Sequence, residues 1–497
     1  MRILFATSEC APFIKSGGLA DVLGSLPQAL TKLGHECTVV LPKYADMKFK
    51  DELEYVTNYD IYISWRKKYC GVFKCVRDGV TYYFIDNEEY YNRPGLYSYD
   101  DDYERFAYFD YAVLELISHL QLGVDVLHLH DWQTAMIAPL YREKYAMHPW
   151  YDNIKLVFTI HNIAYQGKAD PRIVNSIFGL PDYLYENGNL QNDNCFNMMK
   201  SAILYSDIIT TVSPTYAKEI LTDEFGEGLQ YILRTRANDL YGILNGIDYV
   251  VNDPSTDKNL VANFDLEHLD KKFENKLALQ RECGLEENPD IPLIGVVTRL
   301  TWQKGLDLII NRLQEMLSRD VQLVILGAGD YQYEAAFSGY QGPHRERMSV
   351  NLKYDFGLSC RIYGSCDLFL MPSLFEPCGL SQMMSMRYGT IPIVRETGGL
   401  KDSVQPYNEY TKEGTGFSFA NYNAHEMMDT IDYALSIYHR KDHWQVLVEN
   451  AMKEKLDWQK SAKTYEQLFK MMPSDSIFTA PKEWWLPYTD PSFMCSA

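Results

Sequence analysis

What this chain lacks narrows its function before any motif is considered. Its ten cysteines, at positions 10, 37, 70, 75, 195, 283, 360, 366, 378 and 495, form no CxxC pair and join no histidine at zinc spacing. The common structural zinc modules are thereby excluded, and scattered thiols in a large chain fit a reducing cytosol. No run of 18 apolar residues occurs, so no membrane span is expected. The opening "MRILFATSEC" is too short for a secretory core and reads as a first buried strand. Positive charge is in deficit: 47 Lys and Arg stand against 67 Asp and Glu, a net charge of −20. Such a surface disfavours nucleic acid or an anionic membrane as the main partner, although a few cations in one cleft can still hold an anionic ligand. Neither GxGxxG nor the P-loop pattern is present, which removes support for a dinucleotide or P-loop site.

What is present is globular. The apolar content is 46% and the charged content 23%, and a chain of this length divides into two domains of roughly 200–250 residues. Short apolar runs recur, among them 2–7, 37–42, 125–130, 155–160 and 207–212, then 292–300, 322–329, 368–373 and 391–396. Each ends in a turn and leads into a helical pattern, which predicts α/β architecture with parallel sheets covered on both faces. The segment 304–319 carries a helical stripe of Leu306, Ile309, Ile310, Leu313, Met316 and Leu317. Two doubly wound, Rossmann-like domains facing across a cleft are expected. The predicted divisions are 1–242, 243–460 and a C-terminal helix and tail over 461–497. The switch lies near the Gly-, Asn-, Asp- and Pro-rich stretch 241–257. Ligands of such sheets bind at the carboxyl ends of strands.

Four stretches could carry chemistry there. In "KSGGLAD", Lys15, Gly17 and Gly18 follow the first strand and precede a helix. Glycine admits close backbone approach, and a helix N-terminus favours an anion, so this turn suits a phosphate. A related turn, "ETGGLKD", recurs from Glu396 with the opposite charge at its head; it fits the cleft wall better than a phosphate. Arg299 and Lys304 follow a second-half strand and offer a guanidinium fork and a point charge to a diphosphate. In "FEPCGLSQ", Cys378, Gly379, Leu380 and Ser381 lead into a helix as a second anion cradle. Glu376 beside them suits sugar hydroxyls better than phosphate. His161 and Asn162 end the run 155–160, and Asp21 follows the first turn; all three suit hydroxyls. In "HLHDW", His128 reads as packing and Asp131 is left open. No metal-ligand set appears, so protein cations alone would neutralise a leaving group. Together these residues describe a nucleotide-sugar transferase.

In order along the chain, "SECAPFIKSGGLADVLGSLPQAL", "HLHDWQT", "TIHNIAYQG", "TTVSPTYAKEI", "GILNGIDY", "TRLTWQKGLDL", "LFLMPSLFEPCGLSQM" and "ETGGLKDSV" resemble the bacterial glycogen synthases and plant starch synthases. These are retaining glucosyltransferases of the GT-B fold, and the resemblance spans most of the sequence. It implies ADP-glucose as donor, an α-1,4-glucan as acceptor and no cofactor. It further implies that Gly17 and Gly18 contact the donor phosphates, with Lys15 close by. Arg299 and Lys304 would bind the diphosphate, with Ser381 and its neighbours adding N–H groups. His161, Asn162, Glu376 and Asp21 would hold the glucosyl unit, and Tyr354 would stack on adenine. One position departs: where the wider superfamily has a second Glu eight residues on, Met384 stands here, which leaves ribose binding by a second carboxylate unsupported. UDP-glucose, a sucrose-synthase-like acceptor and an inactive glucan-binding scaffold are the competing functions. The segment 456–472 resembles the family's crossover helix, and the aromatic tail 481–497 lies beyond the usual end.

Overall fold

A computed structural model of the chain describes residues 1–472; the aromatic tail lies outside them. Two sheets organise these residues. The first has nine strands, in spatial order Leu240–Gly242, Ile208–Thr211, Lys155–Ile160, Val126–His130, Arg2–Ala6, Glu36–Pro42, Val80–Asp86, Arg66–Arg77 and Glu54–Ile63. The second has six, in the order Met348–Asn351, Gln322–Leu326, Leu293–Val297, Leu368–Met371, Ile391–Arg395 and Phe417–Phe419, and every pairing is parallel.

The apolar runs read from the sequence are the buried central strands. Arg2–Ala6, for example, buries all but its first residue, as a strand covered on both faces must. The expectation of purely parallel sheets needs one correction. Arg66–Arg77 runs antiparallel to both its neighbours, so the edge of the first sheet is a meander. Its outer strand, Glu54–Ile63, alternates exposed and buried residues at its far end, the pattern of a sheet with one wet face.

Helices cover the sheets through apolar stripes at helical spacing. Gly18–Lys32 buries Leu19, Val22, Leu23, Leu26 and Leu30. The helix expected from Lys304 instead begins at Leu306, after a 3-10 turn at Trp302–Lys304. Its stripe uses Leu308 where Ile310, half-buried, was expected.

Two chain segments join the halves and run side by side. The Ile247 N–H donates to the Leu456 carbonyl at 2.8 Å, and the Tyr249 hydroxyl donates to Glu454 O and accepts from the Leu456 N–H. The last helix, Trp458–Met471, then packs against the first sheet. Tyr465 and Phe469 meet the ring of His128 at 5.6 and 5.8 Å, and Glu466 pairs with His35 at 3.1 Å.

In each of these two sheets the chain builds on one side of its first strand and then reverses to the other. The reversal falls between Arg2–Ala6 and Val126–His130 in the first, and between Leu293–Val297 and Leu368–Met371 in the second. A crevice opens at the carboxyl ends of strands at such a point, and the chemistry-bearing turns lie there.

Candidate active site

The first turn leaves the strand Arg2–Ala6 and enters the helix Gly18–Lys32 through Lys15, Ser16 and Gly17. Lys15 Nζ contacts Asp21 Oδ1 at 2.7 Å, so these two residues, assigned separately to phosphate and hydroxyls, form one ion pair here. The expectation that the N–H groups of this turn stand free also needs correction. The buried Glu9 carboxylate accepts from the Ser16 N–H, from Ser16 Oγ at 3.0 Å and from the Gly17 N–H at 3.4 Å. Removal from water raises the Glu9 carboxyl above the ordinary range, against these bonds. Glu9 was missed in the sequence, although its place just beyond the first strand is the signal that could have found it. A Cβ on Gly17 would meet nothing within 4 Å, whereas one on Gly18 would lie 3.7 Å from Leu380 Cδ1.

That last contact crosses the cleft. Leu380 belongs to the turn after Leu368–Met371, where Gly379 takes φ +72° and the short helix Ser381–Arg387 begins. Glu376 opens this turn. It is buried, pairs with Lys304 Nζ at 2.7 Å and accepts from Ser373 Oγ at 3.1 Å. It does not cap the helix that follows; its partner comes from the neighbouring turn. Arg395, another residue the sequence did not single out, donates from Nη1 to Leu374 O at 2.6 Å and braces the approach to Glu376. Arg299 is exposed, and its side chain has no hydrogen-bond or ion-pair partner among the described residues. Cys378 is buried, and Tyr354 is 84% exposed. Tyr363 donates to Ser381 Oγ at 3.0 Å.

The third contribution ends the strand Lys155–Ile160. His161 Nε2 lies 2.9 Å from His130 Nδ1, and the His161 N–H donates to Asp131 Oδ1 at 2.8 Å. Asp131 takes φ +59°, a conformation that costs a non-glycine residue about 1–3 kcal/mol. Burial pushes its carboxyl up to about 7 and holds the His161 imidazole neutral by lowering it to about 3. Asn162 Oδ1 accepts from the Ala164 N–H at 3.0 Å. The expected packing role of His128 matches its complete burial and its 2.7 Å bond to Thr159 Oγ1.

The halves also meet beside the site through two facing short helices. The second "GGL" turn, at Thr397–Gly398, gives its hydroxyl and its N–H to the Glu219 carboxylate at 3.0 Å each. Glu219 ends the helix Pro214–Glu219, which follows a strand of the first sheet. In return Asp402, from the helix Gly398–Ser403, accepts from the Thr215 N–H and Oγ1 at 2.7 Å. Ser213 Oγ donates to Pro377 O at 2.6 Å. Both "GGL" turns therefore hold a glutamate: Glu9 from the same half, and Glu219 from the opposite one. Glu396 itself faces away, accepting from Ser418 Oγ at 2.9 Å.

Residues 2–235 match the starch synthase catalytic domain, and residues 284–454 match glycosyl transferases group 1. A glycogen synthase of Clostridium botulinum (strain Alaska E43 / Type E3) is 49% identical over 473 residues, 95% of this chain and 99% of the relative. One of Bacillus cereus (strain Q1) is 49% identical over 474 residues, 95% of this chain and 100% of the relative. The catalytic domain of starch synthase IV from Arabidopsis thaliana, solved bound to ADP and acarbose, superposes with a TM-score of 0.88 at 37% identity, over 94% of this chain and 98% of that one. A sucrose-phosphate synthase from Thermosynechococcus elongatus, at 15% identity and a TM-score of 0.60, shares the fold alone. With close relatives across nearly its whole length and two facing α/β halves of the GT-B type, the chain belongs to the glycogen and starch synthases.

Proposed function

We propose that this glucosyltransferase takes its glucose from ADP-glucose and adds it, with retention of the α configuration, to the nonreducing end of an α-1,4-glucan. In this scheme residues 1–242 form the acceptor side, and residues 243–460 bind the nucleotide sugar. The observation that carries the proposal is the meeting of the Lys15–Gly18 turn with the Glu376–Ser381 turn, beside the buried Lys304–Glu376 pair. A diphosphate lying between these turns has Arg299 and Lys304 as cations and Gly17, Gly18 and Ser381 as close backbone neighbours. Glu376, His161, Asn162 and Asp21 take sugar hydroxyls, and Tyr354 stacks on the base. The ADP in the starch synthase IV structure supports an adenine nucleotide.

Among the described residues no carboxylate stands as an obvious covalent nucleophile, so the step is assigned to front-face displacement. The glycosidic oxygen of the donor leaves with the diphosphate as the acceptor 4-hydroxyl attacks C1 from the same face. The departing phosphate oxygen takes the hydroxyl proton. Lys304 and Arg299 stabilise the negative charge that grows on the leaving group, an interaction stronger in the transition state than in the ground state. Closure of the two halves excludes water and limits hydrolysis of the donor.

The test is a side-by-side assay of ADP-glucose and UDP-glucose with glycogen as acceptor, the product linkage being read by its sensitivity to an α-specific glucosidase. ADP-glucose should give the higher kcat/KM. Preference for UDP-glucose would overturn the donor assignment. Lys304→Ala should lower kcat by roughly 10²–10³-fold, and wild-type turnover in that variant would remove Lys304 from the diphosphate.

A further inference from the structure

Behind His161 runs a line of buried polar groups that no step above uses. His161 Nε2 meets His130 Nδ1 at 2.9 Å. The rings of His130 and His128 are 4.2 Å apart. His128 Nε2 meets Thr159 Oγ1 at 2.7 Å, and Thr159 Oγ1 meets Thr210 Oγ1 at 2.6 Å. Two ring nitrogens in the line, His130 Nε2 and His128 Nδ1, are buried with no partner among the described residues.

These orphans decide where the protons sit. Both His130 and His161 are neutral, because burial disfavours the imidazolium and, among the described residues, no carboxylate bonds either ring. The Asp131 carboxylate accepts from the His161 backbone instead. Neutral His130 carries one ring proton. On Nε2 it would be a buried N–H with no acceptor, which folded proteins avoid more strictly than an unused lone pair. On Nδ1 it is donated to His161 Nε2. That nitrogen of His161 must then be bare, and the ring proton of His161 moves to Nδ1, the ring nitrogen left without a partner among the described residues. The same count places the His128 proton on Nε2, which donates to Thr159 Oγ1 and leaves only a lone pair on Nδ1 unmatched.

We infer that His130 is a positioning residue that fixes His161 with its proton on Nδ1, so that His161 meets the sugar as a hydrogen-bond donor to a hydroxyl oxygen. The inference rests on the sugar-holding role proposed above for His161. It has a mechanistic consequence: with Nδ1 protonated, His161 has no lone pair to offer the incoming 4-hydroxyl and does not serve as its base.

The tautomer is read directly from protein labelled with 15N at histidine, the His161 ring signals being identified by their loss in His161→Gln. Expected in the unsubstituted protein are a protonated-type Nδ1 shift and a bare-type Nε2 shift. The reverse pattern would overturn the inference without need of any variant. His130→Phe should move the His161 signals toward the Nε2–H form and lower kcat/KM by roughly tenfold to a hundredfold. His130→Asn, whose side-chain N–H lies where Nδ1–H did, should restore both the shifts and most of the activity. Equal loss in the Phe and Asn variants, with unmoved His161 shifts, would reduce His130 to packing and overturn the inference. Full activity in His161→Ala would instead overturn the sugar-holding role, whatever the spectrum shows.

Discussion

Burial sets the behaviour of Asp131. Its carboxyl is pushed from the ordinary 3.8 up to about 7 because no cation offsets its removal from water, and the backbone N–H bonds from His161 and Asn162 only partly oppose the shift. Below about pH 4 folded and unfolded chains both hold this proton, and the contribution to stability is complete. Between about 4 and 7 only the folded chain keeps it, so the contribution falls as pH rises and is gone above the folded value. Asp131→Asn does not titrate. The stability of the unsubstituted protein relative to that variant should therefore fall by roughly 2–3 kcal/mol between pH 5 and pH 8. Denaturant titrations of both proteins at the two pH values check this, and a difference independent of pH would sink it.

Each "GGL" turn is a strand, a tight bend and a helix start, yet the two tolerate side chains differently. Gly17 is extended at φ −156°, with open space where a Cβ would go. Gly398 has φ +45°, and its Cβ would stand 1.9 Å from the Glu376 carbonyl. Gly17→Ala should melt within about 2 °C of the unsubstituted protein while raising the KM for the donor, because the methyl fills space reserved for the ligand. Gly398→Ala combines a left-handed backbone with a clash and should cost about 2 kcal/mol or more. It should also lower kcat by shifting Glu376. Melting curves and donor saturation kinetics on both variants separate the two turns; a Gly17→Ala protein with unchanged KM would remove the first turn from the donor site.

At the scale of the molecule, the halves are held by two chain crossings and by the facing helices Pro214–Glu219 and Gly398–Ser403. Each helix places a carboxylate on the other's first N–H groups, where charge and dipole favour it. Replacing Glu219 or Asp402 by Ala should cost about 1 kcal/mol each. The double substitution should enlarge the radius of gyration measured by small-angle scattering without donor. A double variant with unchanged scattering and unchanged melting would show that these caps do not hold the halves together.

Some of this could be read from the chain alone. Central strands buried on both faces leave continuous apolar runs, so Lys155–Ile160 and Ile391–Arg395 stand out. A residue just past such a run must reach a strand's carboxyl end, which makes His161, Arg299 and Glu376 legible as site candidates, and the glycine turn before a helix marks Lys15. The edge meander was harder to see, because one wet face dilutes the apolar signal over 54–77. Pairing across the fold left no local mark. Nothing near Lys304 in the sequence announces Glu376, 72 residues on, as its partner. Nor does "ETGGL" announce Glu219, 179 residues before Gly398. Local periodicity and strand-end position thus determined which residues could face the cleft. Which of them meet, which N–H groups are already taken, and which ring nitrogen keeps its proton depend on distances across the fold, and only the tertiary structure decided those.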